Sequence, residues 1–326
     1  MNYTFNETHD RRKLSAALAV FSALAAVLTA LFGEIVLSAF SALYAMLVLV
    51  DATKNRILSL AIGAGAIALS LALYFFDVMA LALPFGVLIG FIIAWLFSRG
   101  ASKSEIAVYV ILLVLLLLVI TVYLMLAMGA GELGFSAVAE YASAEYAKLR
   151  EEFAAEMMVA LEEVSPELYE VLDASVFTAA LDEAFSLSLA VLGVIAFAIA
   201  GFTLKIFSFL LFRFAAEPKR VLFWRFTTSN VFAYFYVALL LLGFFVGNEG
   251  VLAITVNNFY CVFLFVYAYI GYNFVLSLMS QRLGFGAASF LVIGCLIFLG
   301  VFAFQVLSAF GVIFTVRNNK VGVYKT

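Results

Sequence analysis

Apolar runs long enough to cross a lipid bilayer follow one another along almost the whole chain, and this leaves few folds open. A helix needs about 20 apolar residues to span the hydrocarbon core. Leu14–Val50 is broken only at Gly33-Glu34 and is long enough for two such helices. Ile57–Phe76 and Val78–Phe97, separated by Asp77, and then Ile106–Met128 give three more. Beyond a polar region come Ala184–Phe212, Val221–Val246 and Val251–Ser280. The last run, Phe285–Val316, reads either as two short helices broken near Gly300 or Gly311 or as one long tilted helix. The expectation is an all-α, polytopic transmembrane helix bundle of ten spans, with nine as the alternative. Only 12% of the 326 residues are charged and 67% are hydrophobic, whereas soluble domains run nearer 45–50% apolar and about 25% charged. So much apolar surface would aggregate in water, which excludes soluble enzymes and most nucleic-acid readers.

Charge is strongly segregated. Between Ala130 and Glu183, 13 acidic residues face only Lys148 and Arg150, a local charge of −11 within a whole-chain charge of −3, so the remainder carries +8. Lys and Arg accumulate on the cytoplasmic side of membrane proteins. A cytoplasmic N-terminus puts Arg11, Arg12, Lys13, Lys54, Arg56, Arg99, Lys103, Arg213, Lys219, Arg220, Arg225 and Arg282 inside, and leaves Glu34, Asp77, Glu249 and the acidic region outside. Ten spans also bring Arg317, Lys320 and Lys325 inside, which favours ten over nine. The basic start followed by an apolar run has the look of a signal peptide, but hydrophobicity continues to Val50 with no small-x-small cleavage site, so the first helix is expected to be retained.

The acidic region reads as an external helical hairpin. Phe135, Val138, Tyr146, Leu149, Phe153, Met157, Leu161 and Val164 recur every three or four residues with Glu on the other faces. Ser165-Pro166 supplies a cap and a first-turn proline for a second helix, roughly Glu167–Leu181. The domain plan is therefore a five-span part (1–129), the hairpin (130–183) and a C-terminal membrane part of four or five spans (184–326).

The order of these parts resembles a family. A basic loop leads into "EPKRVLFWRF", a Trp-Arg start to the next span, and "ITVNNFYCVFLFVYAYIGYNFVLSLMSQRL" and the closing "GVIFTVRNNK" follow. This order looks like that of the YybS-like bacterial membrane proteins, whose N-terminal half is similar to the substrate-binding S-components of energy-coupling-factor vitamin importers. The family commonly has Pro after the Trp-Arg pair and Asp before the C-terminal Arg, where this chain has Phe226-Thr227 and Thr315-Val316. The resemblance implies a location in a bacterial plasma membrane, a coupling subunit and an ATPase as partners, and docking through an Ala-x-x-x-Ala stripe on the first helix, which Ala19 and Ala23 match. Small residues at this spacing equally serve internal packing.

Polar residues within spans are costly and point to function by default. Lys205 lies eight residues before Arg213 and is read as snorkelling. Glu34, Asp77, Asn257, Asn258 and Tyr260 share a depth near the external ends of their spans and form the candidate ligand-binding set, suited to a small polar molecule that is neutral or cationic. Asn258, with Cys261, Phe265, Tyr269 and Tyr272 on its helical face, could instead hydrogen-bond a neighbouring helix. Pro84 is expected to kink the fourth span, and Gly63 and Gly65 suggest close helix contact. Two cysteines, Cys261 and Cys295, and a single histidine, His9, give no metal-binding pattern. No phosphate-binding Gly-rich loop and no nucleophile–base pair is present. Neither cofactor, metal nor catalytic residue is expected. A non-transporting scaffold that engages a cell-envelope protein is the other functional reading.

Overall fold

The computed structural model describes residues 11–32, 34–51, 57–73, 78–169, 171–214, 228–246 and 250–321. Among them every regular element is helical: α1 (Arg11–Phe32), α2 (Glu34–Asp51), α3 (Ile57–Leu73), a 3₁₀ turn (Val78–Leu81), α4 (Ala82–Ser98), α5 (Lys103–Ala130), α6 (Phe135–Val164), α7 (Pro166–Tyr169), α8 (Ala174–Ser186), α9 (Ser188–Phe214), α10 (Asn230–Phe245), α11 (Val251–Leu283), α12 (Phe285–Leu299) and α13 (Val301–Val321). Five stretches are long and apolar enough to cross a membrane, namely Lys13–Ala30, Lys103–Ala130, Ser188–Phe214, Val251–Leu283 and Phe285–Arg317. A multi-pass membrane protein requires helices of this kind. The fifth stretch is not one straight rod, because Gly300 takes a positive φ of 51° and divides it into α12 and α13. Val36–Asp51, Ile57–Leu73, Ala82–Ser98 and Asn230–Phe245 are apolar but shorter.

Two apolar cores organise the bundle. The larger is built from α1, α2, α4, α5 and α9, with Leu37, Phe40, Ile89, Val114 and Phe207 fully buried. The smaller gathers Ala233, Tyr236, Tyr267 and Ile270 from α10 and α11, with Val312 and Phe314 of α13 against them. So α9, although it follows the acidic hairpin in sequence, packs with the helices that precede it. The contacts also fix direction. Gly86 and Gly90 of α4 meet Phe40 and Ala45 of α2 in rising order, and α9 meets the pair through Ser38–Ile199 and Phe97–Phe207. Ala190 and Phe197 of α9 meet Asn258 and Phe265 of α11 in rising order, while Phe265 stacks on Phe304 and Phe274 tilts against Phe314 of α13. Hence α2, α4, α9, α11 and α13 all run the same way. In contrast, α10 runs against α11, with Thr228 bonded to Tyr267 and Tyr236 stacked on Tyr260.

Local chemistry sets several boundaries differently from the sequence expectation. Pro84 falls in the first turn of α4, after the 3₁₀ turn, where its missing N–H removes no helical bond, so it starts a helix rather than kinking one. The second arm of the hairpin is not one helix over Glu167–Leu181. It is a single turn, α7, followed by α8, whose N-terminus is capped by the Asp173 carboxylate accepting from the Ser175 N–H at 3.5 Å. The expected seventh span, Val221–Val246, is helical over Asn230–Phe245, and residues 221–227 lie outside those described.

The hairpin is tied to the end of α5 and to itself. A Cβ on Gly129 would lie 2.5 Å from the end of the Tyr141 ring, so the missing side chain makes room for Tyr141 of α6 against the end of α5. Tyr123 donates to the Leu133 carbonyl at 2.6 Å, bracing the turn. Across the hairpin the Tyr146 hydroxyl donates to Asp182 at 2.6 Å, and Arg150 pairs with the same carboxylate at 2.9 Å. Burial, then the bond to Asp182, holds the Tyr146 phenol above its ordinary value. The apolar stripe of α6 is only partly covered. Val138 is buried, but Phe135 and Val164 are 83% and 84% exposed.

Gly271 and Gly311 mark the tightest crossing in the bundle. A Cβ on Gly271 would overlap the Leu307 carbonyl, and one on Gly311 would overlap the Tyr267 carbonyl, so the backbones of α11 and α13 touch here. Small residues permit such contact within lipid. Gly311 is therefore a packing site, not the helix break, which falls at Gly300. Gly271→Ala is expected to destabilise the bundle by about 3 kcal/mol, read as a lowered thermal midpoint in detergent, whereas Gly294→Ala, with open space around it, leaves the midpoint unchanged.

Candidate functional site

Where α10, α11 and α13 meet, a cavity of about 640 Å³ opens at one end of the bundle. Its level follows from the helices that line it. Asn257 lies six residues into α11, and Gly243 and Phe244 come from the far end of the antiparallel α10, while Gln305, next to the Phe304 that stacks on Phe265, lies about two turns further along. Asn258, beside Asn257, bonds to the α8–α9 junction, so this is the hairpin end of the bundle.

One wall is aromatic. Tyr236 stacks on Tyr260 with centroids 5.8 Å apart and planes 12° from parallel, and on Tyr267 at 5.1 Å. The polar groups fall into two kinds. Ser308 donates to the Gln305 backbone carbonyl at 2.8 Å, so the Tyr236 hydroxyl, 3.1 Å away, donates to the Ser308 oxygen. These groups are satisfied. The side-chain amides of Asn257 and Gln305 make no hydrogen bond among the described residues, and both line the cavity. Both side chains are exposed, and a carboxamide presents donors and an acceptor to whatever occupies the space beside it. Among the described residues the lining carries no charged group. Such a wall can stack a flat or partly apolar body and bond its polar edge, and it offers an ion no counter-charge.

The candidate residues from the sequence divide accordingly. Asn257 and Tyr260 come together at this cavity. Asn258 does not. Its amide is sealed between helices at 6% exposure, accepting from the Ala190 N–H at 2.8 Å and donating to the Ser186 carbonyl at 2.6 Å and the Ile254 carbonyl at 2.9 Å. One side chain thus caps the last turn of α8 and the first turn of α9, ends that otherwise leave unpaired groups. Glu34 begins α2, which packs against α1, α3, α4 and α9 and does not line the cavity, and Asp77 lies outside the described residues. Gln305, Ser308 and Tyr236 were not singled out in the sequence. Gln305 was visible as an amide within an apolar run, but its place on the same cavity as Asn257 needs the packing of α13 on α11.

On α1, Ala19 is buried in the larger core beside Ser15, Ser22 and Ala26, and Ala23 is half-buried, while Val20, Phe21, Leu24 and Val27 face outward. The small-residue stripe thus lies against the protein's own helices. Another group missed in the sequence is Asp51. It is buried at the end of α2 and accepts from the Ser59 N–H and hydroxyl, both at 2.9 Å, holding the first turn of α3. Among the described residues no group of three or more His, Cys, Asp or Glu could hold a metal ion. Comparison with family models, curated proteins and solved structures finds no match in any of the three.

Asn258→Leu keeps volume but orphans the Ala190 N–H and the Ser186 carbonyl. It is expected to cost about 1–3 kcal/mol, seen as a lower thermal midpoint, and to speed amide hydrogen exchange at the α8–α9 junction before exchange elsewhere rises.

Proposed function

We propose that the chain is a ten-crossing protein of a bacterial plasma membrane that holds a small, uncharged polar molecule in the α10–α11–α13 cavity, as the binding subunit of a transporter. The observation that carries the binding reading is that two exposed side-chain amides with no hydrogen bond among the described residues, Asn257 and Gln305, line one cavity of otherwise apolar and aromatic walls. The transport reading rests on the likeness of the N-terminal half to S-components, and energy would then come from a separate coupling subunit and ATPase. No catalytic role is proposed for any residue.

The ten-crossing reading draws on direction. The shared direction of α2, α4, α9, α11 and α13, with α10 opposed, is what an alternating path through a membrane produces. Because α11 and α13 run parallel side by side, the intervening α12 has to return across the bundle. The Arg99 guanidinium lies over the Trp95 ring, 4.0 Å from the ring centroid, at the end of α4; tryptophan favours both membrane interfaces and arginine the cytoplasmic one. With Cys261 and Cys295 replaced, cysteines introduced at Ser98 and Ser104 are expected to resist impermeant thiol reagents in intact cells, and one at Ser143 to react. Labelling at Ser98 reverses the orientation.

For binding, mass spectrometry of small molecules released from the purified protein is expected to find a species in the wild type that Asn257→Leu/Gln305→Leu loses by about 5- to 150-fold, with the fold intact by circular dichroism. Equal recovery from both defeats the assignment. A second reading, a scaffold for a cell-envelope protein, is favoured by the bend of the hairpin, where Val164, Leu168 and Val171 are exposed among acidic residues. Recovery of an envelope protein through the hairpin, with no small molecule in the cavity, selects it.

A further inference from the structure

A second cleft, away from the hairpin-end cavity, lies where the two cores meet. It encloses about 270 Å³ between α5, α9 and α11, with Phe197, Phe202, Phe265 and Tyr269 as aromatic walls and Lys205 among its lining residues. Next to it, and sharing Ile111, Phe197 and Phe265, is a wholly apolar cavity of about 180 Å³ that continues up α9 to Gly193 and Val194. Together they form a slot with an ammonium group at one end and hydrocarbon lining along the rest.

The height of Lys205 matters. It is two turns before Arg213 on α9, and α5 lines the cleft with Ala107, one turn from Lys103 at the helix start, and Ile111. The ammonium therefore sits just inside the boundary where the headgroups of that leaflet begin. Lys205 makes no ion pair among the described residues, and no carboxylate lines the cleft. A lysine that only snorkelled toward water would need no such slot beside it.

We infer that this cleft binds one anionic phospholipid from the leaflet at the C-terminal end of α9, with its phosphate on Lys205 and an acyl chain in the apolar extension past Phe197 and Phe265. Opposite charge at the mouth and hydrocarbon lining inside match that chemistry, and a zwitterionic lipid would gain less from a single cation. The inference needs the membrane reading but is independent of any ligand in the other cavity.

The full chain, purified in detergent, would be mixed with equal amounts of phosphatidylglycerol, phosphatidylcholine and oleate, and retained lipid counted by native mass spectrometry. The wild type is expected to retain one phosphatidylglycerol in preference to the others. Lys205→Met should lower that retention about fivefold, the effect of one lysine–phosphate attraction, and Lys205→Arg should preserve it. Gly201 lines the cleft and has open space where its Cβ would be, so Gly201→Leu fills the slot without removing the charge and should lower retention equally. Unchanged retention in Gly201→Leu, or in a folded Lys205→Met, overturns the site, as does preferential retention of oleate. If Lys205→Met does not fold, Gly201→Leu decides alone.

Discussion

Inside hydrocarbon no water is at hand, so each polar group has to find its partner within the protein, and the Asn258 amide is where the bundle depends on this most. Its three bonds close the last turn of α8, the first turn of α9 and its own helix. They also fix α11 beside α9, and Phe197 then meets Phe265 and Tyr269 further down the same pair. Since α9 belongs to the larger core and α11 to the smaller, one carboxamide sets the register between them.

The two cores solve the packing problem by different means. Around α2 and α4, Gly86 admits the Phe40 ring and Gly90 lies against both the Ser41 carbonyl and the Tyr44 ring of the facing helix, and the fully buried Leu37, Phe40 and Ile89 side chains fill the interior. Between α11 and α13, Gly271 and Gly311 let backbone meet backbone, and the space left beside that crossing becomes the cavity under Tyr236 and Tyr260. Solid packing in one half and a cavity in the other are the reason the proposed binding site is assigned to the second. The resemblance to S-components proposed from the sequence concerns the first half, so it bears on the proposed transport role and not on the location of the cavity.

What the sequence made legible follows from what periodicity and composition encode. Runs of apolar residues announced most helices, and the 3.6-residue stripe of α6 announced the hairpin, because both are local properties. The Asp173 cap that splits the second arm is also local, but the stronger Ser165-Pro166 signal nearby obscured it. Other features need the third dimension. Asp51 closes on Ser59, a pairing across two helices that no spacing gives, and the small residues of α1 look alike whether they face a partner or, as Ala19 does, the chain's own core. Asn257 and Asn258 are adjacent in sequence, yet successive helical positions point about 100° apart, so one faces the cavity and the other is sealed. Their shared depth could not separate them.

An experimental structure of the protein purified from its native membrane tests the central claim most directly. The account predicts density for a small molecule between α10, α11 and α13, with polar atoms about 3 Å from the Asn257 and Gln305 amides. A cavity closed by its own side chains, with those two amides bonded to each other or turned out to lipid, would contradict it.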